Sequence, residues 1–394
     1  MQRGHDLNAS RDNSEVEVIA TCASSAQQGL LSSQNREEKM RISKCLVLSA
    51  ILAMSAVTMP SLGLAQEKKP TPRVALSNAY LGNAWRRSMV AAFEKAAAKA
   101  KDDGLISSWQ VSNAPGENSA TEQIAQLKAL LLDKPDILIV NPASAEALNP
   151  TLQQACNQDA VVVIFDSSTD LKCAHVVSNS FSDWARLSTQ AIIDGIGGKG
   201  NVLIARGVQG SPPEKEMYAV QRKLLDAQPG IKVVGEVFTF CDAAKAQEAL
   251  LGIIASLPEV DGVVGCGEGL GAVQAFLTAG RKAPVVAFAP SGRALKFWGE
   301  GNGGPGSVAV MSDPGQGVAA LFAAIAIYNG QNVPRVTVFP PVVVSDKARD
   351  AWIAAVGDDQ IASWQWTKEL ADKQIQANIA GTVDKAALPP VPTH

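Results

Sequence analysis

The side chains that could carry covalent chemistry are few and poorly placed for it. The chain has three histidines; His5 lies in a polar N-terminal stretch and His394 is the last residue, so His175 is the one internal imidazole. It has no carboxylate beside it in sequence and no GxSxG elbow to serve, so a Ser/His or Cys/His hydrolase is not expected. The GxxxxGK[ST] phosphate cradle of a nucleotide hydrolase is absent as well. One glycine cluster, Gly265-Cys266-Gly267-Glu268-Gly269-Leu270-Gly271-Ala272, satisfies GxGxxG/A between an apolar strand and a helix, the pattern of a dinucleotide-dependent α/β enzyme. Its context opposes that use. The cluster sits in a late unit, the next strand (VVAFAP) ends without an acid for a ribose hydroxyl, and Glu268 places negative charge where a pyrophosphate would lie. A tight strand-to-helix turn at the edge of a cleft is the expectation, with no enzymatic activity and no cofactor.

Of six cysteines, Cys22 and Cys45 precede the predicted globular part, which leaves Cys156, Cys173, Cys241 and Cys266. An even number in an exported chain suits two disulfides. Three pairings are possible; Cys156–Cys173 with Cys241–Cys266 is favoured, since the first two bracket a helix end, a strand and a loop, and the others each follow an apolar strand. No CxxC spacing occurs and histidine is scarce, so no metal site is expected.

The elements that would position polar groups can be read from periodicity. RVALSNA (73–79) is a strand, followed by an Ala-rich helix over 84–101 with Met89, Phe93, Ala96 and Ala97 on one face. Strand and helix then alternate through DILIVNP (136–142), AVVVIFD (160–166) and HVVSN (175–179), and again through NVLIARG (201–207), IKVVGEVF (231–238), DGVVGCG (261–267), APVVAFAP (283–290) and SVAVMSD (307–313). Runs such as VVVIF and ILIV are apolar without alternation, as in strands of a parallel sheet covered on both faces. The pattern predicts two doubly wound α/β lobes. Ligands of such sheets bind beyond the carboxyl ends of the strands, which singles out Ser77–Asn83, Asn141, Asp166–Ser168, Asn179, Gln209–Ser211, Glu268 and Ser312–Asp313. The apolar stretch 315–328 is too short for a membrane span and reads as a buried core helix.

Composition narrows the function further. With 394 residues, 35 Lys+Arg against 38 Asp+Glu and a net charge of −3, no positive excess favours nucleic acid or anionic lipid. Hydrophobic residues at 46% are ample for a packed core. Residues 1–65 stand apart: a polar extension precedes Met40, where Arg41 and Lys44 lead into an apolar run to Met59 and small residues to Ala65. The segment 40–65 reads as a secretory signal with translation from Met40 and cleavage near Ala65, giving a periplasmic protein without stable membrane insertion.

From about 73 to 345 the chain resembles the type I periplasmic solute-binding proteins of ABC transporters, in the ribose/galactose-binding branch. The resemblance rests on VALSNAYLGNAWRRSM, DILIVNPASAEAL, VVVIFDSS, VVSNSF and DGVVGCGEGLGAVQAFLTAG in that order. It implies a Venus-flytrap monomer that closes on a small-molecule ligand, a sugar or sugar-like solute, and delivers it to a membrane permease and its ATPase; the alternative is a sensor presenting the sugar to a membrane receptor. It implies an N-terminal lobe of 73–179 with 312–334, a C-terminal lobe of 180–311 with 335–345, crossings near 178–181, 310–313 and 335–341, and a helical extension and tail over 346–394. Carried over by position, Asn83, Trp85 and Arg86 match the segment that sets an aromatic and polar groups on the sugar, although Trp85 also reads as a core aromatic. Asn141 matches a cleft amide, Asp166 the acidic hydroxyl acceptor and Asn179 a hinge contact, and Ser312 and Asp313 fall at the second crossing. Ser167 stands where ribose binders carry Arg, and of the second lobe's usual polar set only the acid at Glu268 remains. Arg86, Lys215 and Arg293 leave room for an acidic or modified sugar.

Overall fold

The computed structural model describes residues 69–383 except 117, 340 and 345, so the signal expected over 40–65, Cys22, Cys45 and the last residues lie outside the described part. The first half alternates as the periodicity predicts: β1 (Arg73–Asn78), α1 (Ala84–Asp102), β2 (Ser108–Asn113), α2 (Ala120–Leu132), β3 (Ile137–Asn141), α3 (Ala145–Asn157), β4 (Val161–Phe165) and β5 (Ala174–Asn179). The second continues with α4 (Phe181–Gly195), β6 (Lys199–Arg206), α5 (Pro212–Asp226), β7 (Gly230–Phe238), α6 (Ala243–Ile253), β8 (Gly262–Val264), α7 (Gly269–Thr278), β9 (Val285–Phe288), α8 (Gly292–Gly299) and β10 (Val308–Met311). Then come α9 (Gln316–Tyr328), β11 (Val336–Phe339), β12 (Val342–Val344), α10 (Asp346–Ala355) and α11 (Lys368–Ala380).

The strands form two six-stranded sheets, β11-β5-β4-β3-β1-β2 and β12-β10-β9-β8-β6-β7. The first is parallel throughout, and in the second only β12 runs antiparallel, against β10. Every residue of β3 is buried, as the continuous ILIV run demands of a central strand with helices on both faces. Met89, Phe93 and Ala97 of α1 are buried against one face of the first sheet together with α9, which is buried from Gln316 to Ala326. Leu127, Leu148 and Leu152 of α2 and α3 cover the opposite face. In the second lobe, Phe276, Leu250 and Trp352 pack one face and Ile192 and Leu225 the other.

Between lobes the chain crosses after Asn179, between Met311 and Gln316, and between Phe339 and Val342. The third crossing corrects the expected assignment of 335–345 to the second lobe. Val336–Phe339 pairs with Val176–Asn179 of β5 in the first sheet, and only Val342–Val344 joins β10. Pro341 lies between the two runs, and a residue without an N–H cannot continue a ladder. Both disulfides form in the favoured pairing, Cys156–Cys173 and Cys241–Cys266. The second joins the ends of two strands that are not neighbours: β6 lies between β7 and β8, and the bridge passes over Gly207 at the end of β6, where a Cβ would lie 3.1 Å from the Cys241 sulfur.

Candidate functional site

The carboxyl ends of both sheets face a shared cleft enclosing about 330 Å3. On the first-lobe side, Asn83 caps α1 by accepting the Arg86 N–H at 2.8 Å, which sets Arg86 in the first turn with its side chain over the end of β1. The Arg86 guanidinium donates to Asn78 Oδ1 at 3.0 Å and lies 3.7 Å from Asp166 Oδ2. Asp166 follows β4 with φ of 53°, a left-handed conformation that costs energy for a residue with a Cβ and turns its carboxylate into the cleft wall. Asn141 Nδ2 and Gln316 Nε2 also donate to it, at 3.5 and 3.4 Å. Burial pushes the Asp166 carboxyl above its ordinary range while the Arg86 charge pulls it back; burial likewise lowers Arg86. Normal N–H···O bonds are about 2.7–3.2 Å, so these looser contacts leave the carboxylate able to accept from a ligand hydroxyl.

On the second-lobe side the polar contacts are shorter. Arg206, at the end of β6, donates from Nε to Glu214 at 2.7 Å and stacks 3.8 Å from the Tyr218 ring centroid. Phe181, Trp184 and Met217 form an apolar wall beside the Cys241–Cys266 bridge. Glu268 folds back into its own turn: its carboxylate accepts the Cys266 N–H and the Thr239 hydroxyl, each at 2.8 Å. Burial pushes it up to about 7. This occupies the slot a pyrophosphate would need. The glycines serve packing instead, since a Cβ at Gly271 would collide with the Ala243 carbonyl and one at Gly269 with that of Ala287.

Of the residues expected from sequence, Asn83, Trp85, Arg86, Asp166, Glu268 and Ser312 line the cleft. Trp85 packs on the first core, as its core reading expects, and its indole N–H donates to the Ser312 carbonyl at 2.9 Å, tying α1 to the second crossing. Four others are not among the lining residues. Asn141 stands behind Asp166 as its donor. Ser167 is buried with its hydroxyl on the Ser168 carbonyl at 3.5 Å. Asn179 donates to the Ser312 hydroxyl at 3.1 Å inside the hinge. Asp313 turns away to hold the C-terminal extension, accepting from Ser363 Oγ, Trp366 Nε1 and the Trp364 and Gly315 amides; burial pushes it up to about 6. Tyr80 and Ser211, inside the strand-end segments the sequence singled out, line the cleft as well, whereas Phe181, Trp184, Arg206 and Glu214 were missed by sequence reasoning. Arg206 and Phe181 lie at an element end, which is a signal of position, but their facing into the cleft depends on the packing of α4 and α5. Among the described residues no His/Cys/Asp/Glu group could hold a metal ion.

Two α/β lobes joined by three crossings, with a cleft between their strand ends that combines an apolar wall and a few polar groups, define a two-lobed binding protein. The chain belongs to the periplasmic binding protein domain family, which it matches over residues 74–332. An ABC transporter solute binding protein from Thermobispora bispora DSM 43833 superposes with a TM-score of 0.79 at 49% identity, covering 82% of this chain and 99% of that one. An ABC transporter periplasmic solute binding protein from Actinobacillus succinogenes 130z with bound D-allose shares the fold, with a TM-score of 0.63 at 24% identity over 71% of this chain and 99% of that one. The xylitol-binding protein of Mycolicibacterium smegmatis is 28% identical over 195 residues, 48% of this chain and 54% of that protein, so the chain spans about half the length of this curated relative. The family is one of periplasmic solute-binding proteins rather than enzymes. Among the described residues no helix is long and apolar enough to cross a membrane.

Proposed function

We propose that the protein is the substrate-binding component of an ABC transporter, holding an uncharged sugar or sugar alcohol between its lobes and delivering it to a membrane permease and ATPase. The reading places it in the periplasm after removal of a signal over 40–65, with cleavage near Ala65. Asp166, Arg86 and Asn83 are the polar contacts of the first lobe, and Phe181 and Trp184 supply the apolar surface for a ring face or carbon chain. The observation that carries the reading is the loosely filled Asp166 carboxylate, flanked by Arg86 and Asn141 at the strand ends of a two-lobed cleft.

The charge balance of the wall supports a neutral ligand. Of the four arginines lining the cleft, Arg86, Arg206 and Arg293 each already face a carboxylate, Asp166 at 3.7 Å, Glu214 at 2.6 Å and Asp359 at 2.6 Å, while the exposed Arg87 donates to the Gly82 carbonyl at 2.9 Å. Lys215 is exposed and not among the lining residues. An acidic sugar meeting Arg86, Arg206 or Arg293 would therefore have to displace an existing partner. Ligand entering the open form favours closure, since only the closed form lets both lobes touch it.

The test is a thermal-shift screen with xylitol, D-allose, pentoses, hexoses, sugar acids and NAD, since a ligand that binds only the folded state raises the melting temperature. A stereospecific shift from a neutral sugar or polyol is expected. A shift from sugar acids alone, or from NAD alone, overturns the reading.

A further inference from the structure

The C-terminal extension lies beyond the matched family domain, and its path links both lobes. α10 packs on α8 of the second lobe, with Trp352 fully buried and edge-on to Trp364 at 5.1 Å. The segment that follows stays on the second lobe for several residues. Asp358 and Gln360 carbonyls accept the Arg293 and Gly292 amides, and the Ala362 N–H donates to the Pro290 carbonyl at 2.9 Å. In the same stretch the Ile361 N–H donates to Ser88 Oγ, on α1 of the first lobe, at 3.1 Å. The chain then reaches the hinge. Ser363 Oγ and Trp366 Nε1 donate to Asp313 of the second crossing at 2.5 and 2.6 Å, and the Trp366 ring packs 4.8 Å from that of Phe339 at the third. Only glycine fits at position 315, because a Cβ there would collide with the Trp366 indole. α11 finally docks on α9 and β11 of the first lobe, with Asn378 Oδ1 accepting the Val338 N–H at 2.9 Å.

We propose that residues 357–366 are a fourth lobe-to-lobe connection, a strap anchored on Asp313 that limits how far the cleft opens. Asp358, Asp359 and Ile361 of the strap line the cleft, so the same segment forms the edge over which a ligand passes. Opening that separates α1 from α8 must stretch the strap between Ser88 and Pro290 or pull Ser363 and Trp366 from Asp313. Asp313 is in this sense a positioning residue for the lobes and not a ligand contact. The inference rests on the two-lobed binding reading given above.

The test measures the lobe-to-lobe distance without ligand. Spin labels are placed at Lys95→Cys on α1 and Lys223→Cys on α5, both exposed, in the full chain with Cys22 and Cys45 replaced by Ser. The parent should give one narrow distance distribution by pulsed dipolar spectroscopy. Ser363→Ala with Trp366→Phe, and separately Asp313→Asn, should move it to longer separations by several ångström. Removing Cys156–Cys173, remote from the strap, should lower stability and leave the distribution in place. If either strap variant retains the parental circular dichroism and the parental distribution, the strap assignment is wrong. Adding xylitol and D-allose to the labelled parent separates the two readings: strap variants that open while no sugar shifts the parent would sustain the strap and count against the proposed function.

Discussion

Replacing Asp166 with Asn probes the first-lobe site with the least change of shape. The carboxylate receives Gln316, Asn141 and Arg86 at 3.4, 3.5 and 3.7 Å, all longer than a normal bond, so its oxygens have capacity that a ligand hydroxyl can use. A hydrogen bond to a charged acceptor contributes about 1.5–3 kcal/mol, which corresponds to a roughly 10- to 150-fold change in affinity. Asparagine removes the charge and turns one oxygen into an amide donor. That amide meets the existing donors, so at least one hydroxyl loses its acceptor. Folding should respond less clearly. Burial raises the Asp166 carboxyl, so its ionised form costs stability that Asn relieves, whereas Arg86 loses its counter-charge and keeps Asn78 at 3.0 Å. Affinity is therefore the decisive readout. Titration calorimetry at neutral pH, using the neutral sugar or polyol that gives the largest melting shift, should show at least a tenfold weakening for Asp166→Asn and more for Asp166→Ala. A dissociation constant within twofold of the parent, in a variant with intact circular dichroism, would refute the assignment of Asp166 as a hydroxyl acceptor.

Glu268 makes stability depend on pH in a defined direction. Its carboxyl is raised from 4.5 to about 7, so the stability linked to its proton is fully present below about pH 4.5 and is lost as pH rises through about 7. The span is on the order of 3 kcal/mol. Asp313, raised to about 6, acts with the same sign. Glu268→Gln can accept the Cys266 N–H and donate to Thr239, whose own hydroxyl turns to the Arg206 carbonyl at 2.8 Å. Urea unfolding between pH 5 and 8 should then show a shallower pH slope for Glu268→Gln, and an unchanged slope would contradict the burial argument. For the Cys241–Cys266 bridge, which closes a separation of 25 residues, Cys241→Ser with Cys266→Ser should cost about 3 kcal/mol in denaturant unfolding. Because the bridge lies in the cleft wall, affinity for the same sugar should fall too; if stability falls while affinity holds, the bridge is scaffold alone.

Much of the architecture was legible because it is local. A period near 3.6 with Met89, Phe93 and Ala97 on one side specifies a helix face, and the unbroken ILIV and VVVIF runs specify strands covered on both sides. The polar residues at the ends of those strands follow from the rule that parallel sheets bind at their carboxyl edge, and Asn83, Asp166, Glu268 and Ser312 do line the cleft. Asp313 was legible as a strand-end acid but not as an anchor, since its partners Ser363, Trp364 and Trp366 lie some fifty residues away.

The sequence by itself thus determined the elements, their order, the class of fold and a short list of polar groups at one edge, because each follows from side-chain periodicity and strand-end position. Tertiary structure alone decided which sheet Val336–Phe339 joins, why a disulfide reaches over Gly207, which side chains of α4 and α5 meet the cleft, and where the C-terminal extension crosses between lobes. Those outcomes depend on contacts between residues far apart in the chain, and the direction in which a side chain points is set by what has already packed around it.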